Sequence, residues 1–281
     1  MNALTSKTID VLRWPLAALV IMCHVQFLDG FASQPISGWC EWRWLIGWQL
    51  FFSEVLPHIA VPLFLLFSGY LLFCKGDMSF VRYKTALVKR ARTLLIPYLI
   101  WSTICFVVAV SDGAVSGTLM HWLQGLWDTC LWTPGARFSI DMLGYPVSEP
   151  LWFLRDLMIL VVLSFSLGKL LRWSRGWALL LLAAWWFPGH EKFFGFGADS
   201  LFYFSFGAWL AMKEIDFVAI VRRFAVWGYL AAAVMTAVFA WLTISKYFAL
   251  GHLEFVWIPF NIFVVCGMIA TINLGSALVE K

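Results

Sequence analysis

Two side chains near the start of the sequence bring charge and proton chemistry into an otherwise oily run. In IDVLRWPLAALVIMCHVQ, Ile9 to Gln26, His24 follows Arg13 by eleven residues and Asp10 precedes the arginine by three. An α-helix turns about 100° and rises about 1.5 Å per residue, so eleven steps make three turns with about 20° left over. Arg13 and His24 therefore share a helix face, roughly 16 Å apart along the axis, with Asp10 within about 40° of it. Asp10 also stands at ion-pair spacing from Arg13. A guanidinium is suited to phosphate groups, and a neutral imidazole is suited to taking a proton from a hydroxyl. The spacing fits a long anionic donor held at one end while bonds change at the other. The plainer alternatives stay open: an arginine that snorkels, a histidine satisfied by a neighbouring helix, and an Asp10 that favours the helix N-terminus. Pro15 removes the bond to Val11 and is expected to bend the helix.

The elements that must position this face follow from composition. The chain has 281 residues, 62% hydrophobic and 13% charged, with a net charge of +4 and a mean hydropathy of +0.83. A soluble domain carries about 25% charge. Apolar runs close to the ~20 residues that cross a bilayer recur along the whole sequence. The fold class expected is all-α, a polytopic transmembrane helical bundle forming one domain over 1–281. Basic residues cluster at Lys75–Arg92, Lys169–Arg175 and Lys213–Arg223. The positive-inside rule puts these, with Lys7 and Arg13, on the cytoplasmic side. No soluble basic face exists to hold nucleic acid. The six cysteines form no CxxC pair and no zinc-ligand spacing, so no metal is expected.

Eight crossings are expected, at about 9–28, within 44–74, 94–111, 151–171, 176–188, 199–213, 224–245 and 254–274, with both termini cytoplasmic. Pro57 and Pro62 are expected to break or kink the second run, and 78–92 to lie along the inner surface as an amphipathic helix. Glu54 and His58 would be neighbours only if their stretch is helical. His121, His190 and His252 fall in expected outer loops. Arg155 and Asp156, just inside the fourth span, either contact a sugar or form a local pair. Ser68 is a nucleophile by type, or with Gly69 a small step that lets helices pack closely.

IDVLRWPLAALVIMCHV resembles the first span of the membrane-bound acyltransferase-3 family, in which an arginine is followed by ten residues and then a histidine. VPLFLLFSGYLLF, VKRARTLLIPYLIWS and EPLWFLRDLMIL are similar to its later elements, in order; FYFSFGAWLA is a weaker echo. The similarity covers about 8–215. Trp14-Pro15 replaces a usually small residue, and a late Tyr-Leu-x-His-like signature is absent. The family commonly has about ten spans where about eight are expected here, as in a shorter variant, a truncated product or a chain that needs a partner.

The resemblance implies an O-acyltransferase of the inner (plasma) membrane. It would move acetyl or a related acyl group from cytoplasmic acetyl-CoA, or another acyl-CoA, to a hydroxyl of a surface glycan or lipid-linked sugar. It makes His24 and Arg13 the essential pair. Beside the resemblance, the residues themselves suggest that Arg13, Asp10, Ser68, Tyr70, Arg90 and Arg92 serve the donor, Arg90 and Arg92 being otherwise plain positive-inside charges, and that Arg155 and Asp156 serve the acceptor. Whether His24 acts as general base or carries the acyl group is left open, as is a homo-oligomer or partner chain. The rival class is a transporter or export subunit for a small anion or sugar, where intramembrane charges are equally at home.

Overall fold

Two prolines set the character of the longest helices. A proline has no N–H to donate, so the helix must drop one bond where it stands. α2 (Arg43–Leu50) runs into a π-helical turn at Phe51–Val55, closed by the Leu56 N–H on the Phe51 carbonyl. A 3-10 turn at Leu56–Ile59 then holds Pro57 and leads into α3 (Ala60–Phe73). α4 (Phe80–Arg90) passes through a second π turn, Ala91–Leu95, closed by the Ile96 N–H on the Ala91 carbonyl, into α5 (Ile96–Ser111) with Pro97 in its first turn. In each place the residue before the proline makes an i→i−5 bond, and the rod continues. The run that holds Pro57 and Pro62 is therefore not broken but stays helical from Gly47 to Phe73, its α geometry giving way to π and 3-10 turns beside Pro57. Nor is 78–92 a separate surface helix: residues from Phe80 on form the first part of one helix, Phe80–Ser111.

The computed structural model describes residues 2–24, 43–76, 79–133, 145–189, 192–193, 196–248 and 257–280. The chain packs as two compact units, Met1–Phe67 with Lys213–Lys281, and Ser68–Met212. In the first, α1 (Ala3–Cys23) is capped by Asn2, whose side chain accepts the Leu4 N–H. It buries Thr5, Thr8, Ile9, Leu12 and Leu16, a single helical stripe. α1 packs against the 51–59 turns and against α12 (Trp257–Val279), which also packs along α11 (Ala225–Phe248). Within lipid the hydrophobic effect no longer drives helices together, and close packing does. A Cβ at Gly275 would fall 2.7 Å from Leu12 Cγ, so α1 sits on α12 at that glycine. The short α10 (Phe217–Arg223) joins them, and Arg222 pairs with Glu280 just beyond α12.

In the second unit, α6 (Leu119–Trp127), capped by Thr118, folds back along α5, where Trp122 Nε1 donates to Thr103 Oγ1 at 3.1 Å. α4 packs on α7 (Trp152–Trp173), with the Tyr83 hydroxyl donating to the Val162 carbonyl at 2.7 Å. Arg175 and Gly176, both at positive φ, turn the chain into α8 (Trp177–Trp186). A pair of two-residue strands, β1 (Lys192–Phe193) and β2 (Phe196–Gly197), precedes α9 (Ala198–Met212). At Gly69 a Cβ would fall 2.9 Å from the Phe204 carbonyl carbon and 3.1 Å from the Ala208 nitrogen, so α3 lies backbone to backbone on α9.

The all-α bundle expected from composition is present. Among the described residues five helices are long and apolar enough to cross a membrane: Gly47–Phe73, Phe80–Ser111, Glu149–Trp173, Ala225–Ser245 and Trp257–Val279. The other three expected crossings fall on α1, which carries Lys7, Asp10 and Arg13, on α8, with ten residues, and on α9, with fifteen. They are more charged, or shorter than the ~20 residues of a simple crossing.

Candidate active site

α1 continues through Pro15 and ends at Cys23, with His24 as its C-cap. The Asp10 and Arg13 side chains pair at 2.9 Å, and 60% and 55% of their respective surfaces stay exposed. His24 is exposed as well. All three lie on the flank that the buried stripe leaves open, as a 100° turn per residue requires. Asp10 thus steadies a guanidinium that stays more than half exposed. The imidazole stands about 16 Å further along the same face. What the arrangement offers chemically is a fixed cation at one end and a proton acceptor or nucleophile at the other.

The other expected site residues belong to the second unit. Ser68 is half-buried beside the Gly69 crossing, and Tyr70 is 4% exposed. Arg90 is half-buried and Arg92 is exposed. The basic segment also has a structural member. Arg82 donates to the Leu72 and Gly76 carbonyls, both at 2.5 Å, and so caps the C-terminus of α3.

Arg155 and Asp156 form a buried ion pair, 4% and 0% exposed. Arg155 Nε and Nη2 donate to Asp156 Oδ1 at 3.1 and 3.0 Å, Nη1 donates to the Trp127 carbonyl at 2.5 Å, and the guanidinium lies 5.4 Å from the centre of the Trp127 ring. Asp156 Oδ2 accepts from the Ser200 hydroxyl at 2.9 Å and the Gly197 N–H at 3.3 Å. One ion pair thereby ties the end of α6, the start of α7 and the start of α9. Adjacency in sequence hinted at the pair. Its partners, 28 to 44 residues away, carry no signal of their own.

Sequence reasoning also missed Asp216. It caps α10 by accepting the Ala219 N–H at 3.1 Å, and it accepts from Asn2 Nδ2 at 3.1 Å and Thr5 Oγ1 at 2.9 Å. Partial burial alone would raise its pKa. The hydrogen bonds from Asn2, Ala219 and Thr5 outweigh this and hold the carboxyl below its ordinary value. Among the described residues no three His, Cys, Asp or Glu side chains group closely enough to hold a metal ion. Cys40, His190 and His252 lie outside the described residues.

Several apolar helices of membrane-spanning length among the described residues define a multi-pass membrane protein. The sequence profile of the acyltransferase-3 family, described as an acyltransferase domain, matches residues 6–278, and the chain belongs to that family. It is 34% identical over 253 residues to the succinoglycan biosynthesis protein ExoH of Rhizobium meliloti (strain 1021), an alignment covering 85% of this chain. The chain spans 63% of that relative's length. No solved structure matches it significantly.

Proposed function

We propose that the protein is an O-acyltransferase that moves an acetyl or related acyl group from an acyl-CoA to a hydroxyl of a surface glycan or a lipid-linked sugar, in the plasma membrane. Arg13, held by Asp10, meets the CoA phosphates. His24 takes the proton of the acceptor hydroxyl while its oxygen attacks the thioester carbonyl, or first accepts the acyl group itself. In either route the C–S bond breaks, a C–O ester forms and the hydroxyl proton is balanced by the departing thiol. The observation that carries this reading is the shared open face of Arg13 and His24 in a chain of this family. A relative named for succinoglycan biosynthesis supports a glycan as acceptor.

Membranes containing the protein, given acetyl-CoA and the producing cell's own glycan, test it through release of free CoA thiol. Acceptor-dependent release is expected, and Arg13→Ala should raise the KM for acetyl-CoA by about tenfold or more, the worth of a lost charged hydrogen bond. Glycan movement without any consumption of acyl-CoA would contradict the reading and favour a carrier.

A further inference from the structure

The first unit holds a second histidine near the depth of His24. α12 serves as a ruler. Asp216 binds Asn2 and Thr5 at the start of α1, and α10, which it caps, places Arg222 on Glu280 at the end of α12. α1 and α12 therefore run antiparallel. Leu12 sits on Gly275; eight residues earlier on α12, a Cβ at Gly267 would fall 2.7 Å from Ile59 Cγ1. From the Leu12–Gly275 crossing, Ile59 is thus about 12 Å along the bundle and His24 about 18 Å. The His58 ring meets the ring of Phe260, which lies about 22 Å along the same ruler. His58 thus falls between about 12 and 22 Å on that ruler, a span that includes the level of His24, and the two histidines lie on elements that pack directly against each other.

The surroundings of His58 are built rather than incidental. Its imidazole meets Phe260 edge-on at 5.2 Å and Phe239 edge-on at 6.3 Å, and these two rings touch each other at 5.3 Å. Phe239 is stacked in turn on the fully buried Phe263. Two walls of the imidazole are therefore fixed aromatic rings. Glu54, half-buried, stands one turn earlier, in the π turn that Pro57 forces. That turn and the 3-10 turn after it pack between them against α1, α11 and α12, so both residues belong to elements at the junction of this unit.

We propose that His58 is the second base of the acyl-transfer reaction, with Glu54 positioning it, and that His24 carries the acyl group. This rests on the acyltransferase reading. A direct transfer needs one base, and His24 supplies it; once His24 is acylated, its remaining ring nitrogen is a far weaker base, because the acyl group withdraws its electron density, and a second base must take the acceptor's proton. In the first half-reaction a His24 nitrogen attacks the thioester carbonyl, the C–S bond breaks, and the imidazole proton leaves with the thiol. In the second the acceptor oxygen attacks the acyl carbonyl, His58 takes the hydroxyl proton, the C–N bond breaks, and the proton returns to the departing His24 ring.

Radiolabelled acetyl-CoA and the glycan acceptor, supplied to membranes carrying the wild type, His24→Ala, His58→Gln or Glu54→Gln at matched protein level, separate the steps. His58→Gln should slow acceptor acylation by about 100-fold, the usual worth of a general base, while label accumulates on the protein. His24→Ala should carry no label, and Glu54→Gln should show the His58→Gln pattern more weakly. Should His58→Gln misfold, Glu54→Gln carries the same test. Wild-type turnover in both Glu54→Gln and His58→Gln, or loss of product and label together, would overturn the proposal. Full activity in His24→Ala, or no transfer by the wild type, would instead remove the acyltransfer reading beneath it.

Discussion

Arg155 has three donor contacts committed to Asp156 and the Trp127 carbonyl, all out of reach of solvent. Removing one partner of such a pair leaves an unpaired buried charge, whereas removing both leaves a packing problem. Arg155→Ala should therefore destabilise the detergent-solubilised protein by about 3–5 kcal/mol. The double change Arg155→Met with Asp156→Leu should recover most of that loss. Thermal unfolding of the two variants checks it, and equal losses would mean that the ion pair is not what holds the three helix ends. The contrast with Asp10 and Arg13 is instructive. That pair is more than half exposed, so its Coulomb energy is modest, and its value lies in orienting the guanidinium. Sequence spacing made the exposed pair legible, because i,i+3 residues meet on any helix. The buried pair's network was not legible, since Ser200 and Gly197 reach Asp156 only through the fold.

At the scale of elements, glycines set how near helices come, and prolines set where their pitch changes. Gly69 faces the backbone of α9, which cannot swing aside, while Gly275 faces the flexible end of Leu12. Gly69→Val should thus cut the amount of folded protein in the membrane several-fold, and Gly275→Ala should be far milder. Comparable losses in a membrane-fraction immunoblot would argue against backbone contact at Gly69. The α3–α9 crossing was half legible: a Ser-Gly step in an apolar run suggests close packing but does not say against what. The continuity of Phe80–Ser111 was not legible, because a residue before proline ordinarily leaves the helical region. The π turn at Ala91–Leu95 lets the helix keep going by shifting a bond instead. The same device at Phe51–Val55 keeps Glu54 and His58 in one helical run.

At the scale of the whole molecule, hydropathy alone was enough for an all-α membrane bundle, and the apolar runs located its long helices, five of which among the described residues are long and apolar enough to cross a membrane. Which segments pack into which unit was not in the pattern. The first unit joins the two ends of the sequence, and Asp216 fastens them. Its carboxyl has a folded-state pKa below the unfolded one, so the tie contributes stability above the ordinary carboxylate value of about 3.9 and loses it as pH falls through the lowered value. Hydrogen exchange at the first turn of α1 should accelerate as pH falls through that lowered value, beyond the intrinsic change in exchange rate. Asp216→Asn should remove most of that dependence. An unchanged profile in the variant would place the sensitivity elsewhere.

The most direct test of the central claim is alkali-labile acyl groups, acetate first, released from the envelope glycans of a deletion strain complemented with wild type or with His24→Ala, at equal protein levels in the membrane. Acyl groups restored by the wild type and absent with His24→Ala are the predicted result. Full restoration by His24→Ala would contradict the assignment of the α1 face as the acyl-transfer site.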